Sequence, residues 1–285
     1  MATNPSSQEN TYVIDAESAS EMARLMHQDH MMTERMGSLF PSGIDLAQIH
    51  DALDLACGPG SWVLDVAYAY PDIEVVGVDV SNRMIHYAQS RAQSQQLPNA
   101  RFHIGDILQP LDFEDNSFDF VNARTIVGFM MPTSWPTLLR ECMRVTRPGG
   151  FIRLTELELN LSTSPANERI NGLLAKAGYL AKRTFSPDGL HIGITPMLGR
   201  FLRDAGCQNI RHAAYVVDFS AGSEAHEEYF QDMVVGLQLL KPFLLKVKVI
   251  TPEELDALYE QAMAEVQADD FCGVMYYLSA WGQKP

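Results

Sequence analysis

The sequence holds no run of about 18 apolar residues, so no stretch has the composition of a membrane-spanning helix. Its four cysteines, Cys57, Cys142, Cys207 and Cys272, are far apart and form no C-x-x-C pair. That spacing argues against a structural zinc site and reads as small buried hydrophobes in a reducing compartment, with no metal expected. Bases are few: 21 Lys and Arg stand against 36 Asp and Glu, a net charge of −15, and the longest basic cluster is Lys182 with Arg183. Phosphate binding draws its affinity from clustered bases, so a nucleic-acid partner is disfavoured and a small molecule favoured. No internal repeat or low-complexity tract occurs. Residues 1–20 are polar and lack a basic leader followed by an apolar core, which makes the cytoplasm the expected location.

What remains is the composition of an ordinary globular domain: 285 residues, 46% hydrophobic and 20% charged, enough for one α/β domain with additions. The chain is organised around residues 51–79, DALDLACGPGSWVLDVAYAYPDIEVVGVD. Residues 52–56 form an apolar run of the length of a buried parallel strand, and a turn carrying Gly58, Pro59 and Gly60 follows. Residues 61–70 place Trp62, Val63, Val66, Ala67 and Ala69 at helical spacing, and a second apolar run, 74–78, ends in Asp79. A strand, glycine turn, helix and strand in this order imply parallel neighbours in a sheet buried by helices on both faces.

Such a sheet binds ligands at the carboxyl ends of its strands, where the strand order reverses, and the first glycine turn is where a ligand comes closest to backbone. Asp79 lies 19 residues beyond Gly60, close to the interval of about 20 at which an acid takes a ribose hydroxyl in dinucleotide folds. A dinucleotide fingerprint needs G-x-G-x-x-G, but after Gly58 and Gly60 the third position is Val63. No G-x-x-x-x-G-K-[ST] exists either, which argues against a triphosphate loop. Asp54, inside the leading strand, would repel a pyrophosphate and suit a ligand bearing an ammonium group. S-adenosyl-L-methionine, with S-adenosyl-L-homocysteine as its product, fits these requirements.

LDLACGPG, VVGVDVS, FHIGDI, FDFVNAR and the RPGG turn before FIRLTE, in that order, resemble the successive motifs of class I S-adenosylmethionine-dependent methyltransferases. The resemblance covers about residues 51–156 and points to the small-molecule, natural-product branch of secondary metabolism. It implies that Ala56, Gly58 and Gly60 form the cofactor turn, with Ala56 where the family often has glycine. It further implies that Asp79 holds the ribose; that Val80, Ser81, Asn82 and Met84 flank the adenine; and that Gly105, Asp106 and Ile107 contact it, Asp106 accepting from its amino group. Asn122, Ala123 and Arg124 stand where the methyl donor reaches the substrate. Tyr12, ahead of residues 21–25, resembles the tyrosine that donates to the cofactor carboxylate.

Along the chain, residues 1–10 read as a disordered start and 11–50 as an N-terminal helical cap, with an amphipathic helix from Asp15 that stops at 37–41. The cofactor-binding core is 51–158, with a helix capped by Ser81, strands at 101–104, 118–122 and 151–157, and a turn at 147–150. Residues 159–205 and 220–270 read as lid or substrate-side helical insertions, including helices at 167–182, 195–204, 224–240 and 252–268, the last with Thr251 and Glu254 as a capping box. The last two strands lie within 206–219 and 271–285. The expected architecture is Rossmann-like and doubly wound: a mostly parallel seven-stranded sheet in a single domain of residues 11–285, with helices on both faces and a helical lid. A homodimer is left open.

Methyl transfer from a sulfonium is an in-line displacement, so the protein must align the reactants and exclude water. A side-chain base is needed only where the nucleophile must lose a proton, and His191, in the loop SPDGLHIG, is the leading candidate ahead of His212 and Glu156. The 14 methionines, Met26, Met130, Met131 and Met233 among them, would give soft walls for a sizeable apolar acceptor or else serve as core residues. The expected activity is methyl transfer to an O, N or C atom of a small apolar metabolite; the alternative is a non-catalytic cofactor-binding regulator of the same fold.

Overall fold

A computed structural model describes Ile14 and residues 18–285 of the chain; Tyr12 and the 1–10 segment fall outside the described residues. Five parallel strands form the centre: β1 (Asp51–Leu55), β2 (Glu74–Asp79), β3 (Ala100–Ile104), β4 (Phe118–Arg124) and β5 (Thr146–Leu157). Short β6 (Leu161–Ser162), long β7 (Gln208–Asp218) and β8 (Gly273–Gln283) complete the sheet. The spatial order is β3-β2-β1-β4-β5-β8, with β8 antiparallel to β5 and β7 antiparallel to β8 at the far edge. β6, against Gly273 and Val274, is an eighth strand beyond the seven expected; two residues are too short to leave a period of two in the sequence.

The helices are α1 (Ala19–Met36), α2 (Ser61–Ala69), α3 (Asn82–Ser94), α4 (Trp135–Val145), α5 (Pro165–Leu180), α6 (Leu198–Asp204), α7 (His226–Val247) and α8 (Pro252–Val266). Polar caps set several starts: Ser18 accepts from Glu21 N, Ser81 from Met84 N, and Thr251 with Glu254 forms the capping box. On one face, Trp62, Val66 and Ile85 of α2 and α3 pack on Ala52, Val75 and Phe120. On the other, Leu138 and Cys142 of α4 and Leu198 and Leu202 of α6 pack on Leu53, Val121, Ile152 and Leu154. The inner strands β1, β2 and β4 are thus covered on both sides, whereas the edge strand β3 buries only Phe102.

Three expectations change. Residues 147–150 do not end the hydrogen-bonded run but bulge inside β5, opposite the single residue Asp119. Arg147 Nη1 sits 2.8 Å from both Asp119 Oδ2 and Asp51 Oδ2 and ties the bulge to the sheet. Helix α7 continues past residue 240 through Pro242, because Phe243, Leu244, Leu245 and Val247 pack against Leu173, Leu174 and Ala177 of α5 and Leu255 of α8. The α6 end of segment 159–205 belongs to the sheet's core layer rather than to a lid.

β1 lies between β2 and β4, so the strand order reverses there and opens a crevice at the carboxyl ends. Helix α1 lies over it and is held to α7 by Arg24, whose Nε is 2.7 Å from Glu21 Oε2 and whose Nη1 is 3.1 Å from Asp232 Oδ1. Met31, Met32 and Met36 of α1 share a cluster with Met233 of α7 and Tyr277 of β8, which fixes the height of this cover above the sheet.

Candidate active site

The turn after β1 is held in a left-handed conformation at three places, Ala56 (φ 56°), Gly58 (φ 53°) and Gly60 (φ 79°). Glycine adopts it freely, whereas Ala56 carries strain at the point of closest approach. Cys57 N donates to Val78 O at 2.9 Å, and Asp79 returns the tie: Oδ2 accepts from Gly58 N and Oδ1 from Ser81 N, both at 2.9 Å. The acid at the end of β2 thereby fixes both the glycine turn and the start of α3.

These elements enclose a cavity of about 560 Å³, within the usual range for small-molecule sites. Of the residues expected from the sequence, Asp54, Ala56, Gly58, Asp79, Val80, Met84, Gly105, Asp106, Ile107 and Arg124 line it, as does Ser81; Asn82 does not. Gly60 does not line it either: a Cβ there would lie 2.5 Å from Phe102 Cε1 and 2.8 Å from Ala88 Cβ, so this glycine serves helix–strand packing. Asn122 is buried behind Asp54, and Ala123 faces the opposite layer among Leu154 and Trp135.

α1 supplies Leu25, Gln28, Asp29 and Met32, a stripe at helical spacing whose polar middle pair was the available signal of a lining face. The turn adds Cys57, Pro59 and Ser61; Leu108 and Gln109 follow β3, and Thr125, Ile126 and Phe129 follow β4. Leu25 falls in the 21–25 segment that resembles the family's cofactor-covering helix; the others carry no such signal in the sequence. Met32 and Met84 are the lining methionines, whereas Met130 and Met233 lie in the core and Met26 and Met131 do not line the cavity.

The charged end of the cavity combines three elements. Arg124 pairs with Asp29 across β4 and α1 and also donates to Thr33 Oγ1 at 3.1 Å. Among the described residues, Asp29 Oδ2 is buried without a partner. Asp54 Oδ1 accepts from Asn122 Nδ2 at 2.7 Å, and burial pushes its carboxyl up to about 7, against the pull of Arg124. The β4–α4 connection is set from below: Glu156 Oε1 accepts from Ile126 N at 2.8 Å and Val127 N at 3.2 Å, and burial pushes Glu156 up to about 8.

No candidate base from the sequence faces the cavity. His191 is exposed on its loop, and His212 projects from β7 over Gly199, where a Cβ would lie 2.3 Å from its Nε2. Glu156 is engaged beneath the cavity wall. Spacing in the sequence marks a loop as close to the core but not the direction of its side chains.

The fold and site define a doubly wound α/β protein with a small-molecule cavity at its topological switch. Residues 52–150 match a family described as "Methyltransferase domain". A demethylmenaquinone methyltransferase of Geobacillus kaustophilus is 37% identical over 103 residues, 35% of this chain and 42% of that protein. One of Staphylococcus aureus is 34% identical over 128 residues, 44% of this chain and 49% of that protein. The chain thus spans less than half the length of these curated relatives. Phosphoethanolamine N-methyltransferase 2 of Haemonchus contortus, solved with S-adenosyl-L-methionine, superposes with a TM-score of 0.52 at 15% identity, over 94% of this chain and 57% of that one. At that identity the likeness is one of fold.

Proposed function

We propose that the protein transfers a methyl group from S-adenosyl-L-methionine to a small molecule. The observation that carries this reading is the cavity itself, which places Asp79, the Ala56–Gly58 backbone and the charged Asp54–Asp29–Arg124 end along one continuous surface. Asp79 holds the ribose hydroxyls. Met84 and Ile107 pack on the adenine faces, and Asp106 accepts from its amino group. The charged end suits a zwitterion: Asp54 and the unpartnered Asp29 Oδ2 face the ammonium, and Arg124 faces the carboxylate.

When bound, the sulfonium supplies an already activated methyl group. What the chain adds is position. Asp79 and Asp54 hold the two ends of the donor, α1 covers it from water, and the Thr125–Ile126–Phe129 segment walls the acceptor side. Met32, Ile126 and Phe129 make that wall apolar, which supports an apolar acceptor. The curated relatives are demethylmenaquinone methyltransferases by name, but the match spans less than half of each, so their acceptor is not carried over to this chain.

The test is calorimetric titration with S-adenosyl-L-methionine, S-adenosyl-L-homocysteine and NAD. Micromolar binding of the two adenosyl ligands without a response to NAD supports the reading; binding of NAD alone overturns it. Release of S-adenosyl-L-homocysteine on addition of a metabolite mixture then separates an enzyme from a non-catalytic binder.

A further inference from the structure

We infer that Arg153 is a positioning residue that acts through Asn122 to keep Asp54 turned, as a hydrogen-bond acceptor, toward the ammonium group of an amino-acid-bearing ligand. The inference rests on the proposed reading of the cavity. Arg153 lies on β5, two strands from Asp54, and is fully buried at 0% exposure. Its Nε donates to Asn122 Oδ1 at 2.7 Å, and Asn122 Nδ2 donates in turn to Asp54 Oδ1 at 2.7 Å. The chain of three side chains runs across adjacent strands, β5 to β4 to β1, and ends at the charged end of the cavity.

The chemistry of the middle residue makes the relay directional. An asparagine amide can turn either end to a neighbour, and only its surroundings decide which. Guanidinium has donors and no acceptor, so Arg153 selects the orientation in which the amide oxygen faces it and the amide NH2 faces Asp54. An NH2 group facing Asp54 favours the ionised, accept-only carboxylate. Without Arg153 the amide is free to turn over. Its oxygen would then face Asp54 and favour the protonated acid, which has no charge to offer an ammonium group.

The rest of the surroundings hold Arg153 for this task. Its Nη1 donates to Leu39 O at 2.9 Å, and its guanidinium carbon lies 5.4 Å from the Trp62 ring centroid and 5.3 Å from that of Phe120. Nη2 has no partner. A buried cation with one empty donor is a poor stabiliser compared with an apolar side chain of similar volume. Its position behind Asp54 accounts for its presence.

The test compares two probes, S-adenosyl-L-homocysteine and 5′-methylthioadenosine, which share the adenosine and the thioether but differ in the aminocarboxylate end. Arg153→Met should weaken S-adenosyl-L-homocysteine binding at least tenfold while leaving 5′-methylthioadenosine within about twofold. Arg153→Lys, which keeps a donor toward Asn122, should recover part of the loss. Should Arg153→Met not fold, Asn122→Ala breaks the same relay and should give the same selective loss. Equal weakening of both probes, or no weakening of either, overturns the inference. Failure of the parent protein to bind either probe instead refutes the cofactor reading on which it rests.

Discussion

Replacing Asp79 with Ala tests the cofactor assignment most directly. An ionised carboxylate offers about four acceptor positions. In this protein Asp79 accepts from Gly58 N and Ser81 N at 2.9 Å, and the proposed ligand would bring a pair of ribose hydroxyls to the same carboxylate. Hydrogen bonds to a charged group contribute about 1.5–3 kcal/mol, so loss of the ribose contact should weaken S-adenosyl-L-homocysteine binding roughly ten- to a hundredfold. The alanine also leaves two backbone donors unpaired at the half-exposed rim of the cavity, where water can replace the lost acceptor, so the fold should survive. Asp79→Asn should fall between the two, because its amide oxygen can serve one hydroxyl while its NH2 opposes a backbone donor. The assay is calorimetry with S-adenosyl-L-homocysteine and 5′-methylthioadenosine, alongside a thermal melt. Both ligands carry the ribose, so both must weaken together, in contrast to the Arg153 variants. Unchanged affinity in a folded Asp79→Ala protein would refute the role of this acid.

Gly60→Ala introduces a Cβ 2.5 Å from Phe102 Cε1 at a residue with φ 79°, and should lower stability by about 1–3 kcal/mol in urea unfolding; an unchanged midpoint would show that the turn is not held as described. Glu156 binds its proton more tightly in the folded state, about 8 against an ordinary value near 4.5, so its contribution to stability is complete below 4.5 and is lost as pH rises through about 8. Glu156→Gln should flatten that decline in urea midpoints measured from pH 4 to 9, and an unaltered slope would reject the assignment. His191→Ala, on an exposed loop away from the cavity, should leave turnover within about twofold of the parent; a collapse in rate with folding intact would return His191 to the role of base.

Much of the fold was legible because its signals are local. The strand–turn–helix–strand unit shows itself in runs of apolar residues and in glycines whose φ lies near +53° to +79°, and the caps at Ser81 and Thr251 bond within three residues of themselves. Asp79 could be named because one helix separates it from the turn it serves. Eleven of the residues expected at the site, from Asp54 to Arg124, lie together on the cavity surface.

What the sequence by itself determined, then, is the series of elements, the position of the ligand turn and the acid that closes it, since each follows from spacings shorter than about twenty residues. Tertiary structure alone decided the partners at greater separation. Asp29 of α1 meets Arg124 of β4 across 95 positions of sequence, and Asn122 joins Asp54 to Arg153 across separations of 68 and 31. Neither link leaves a period in the chain. The side of a loop that faces a cavity, as at His191, and the end of a helix that runs on through Pro242 are likewise set by what packs against them. Periodicity records which face of an element is buried; the order of strands in the sheet decides what that face meets.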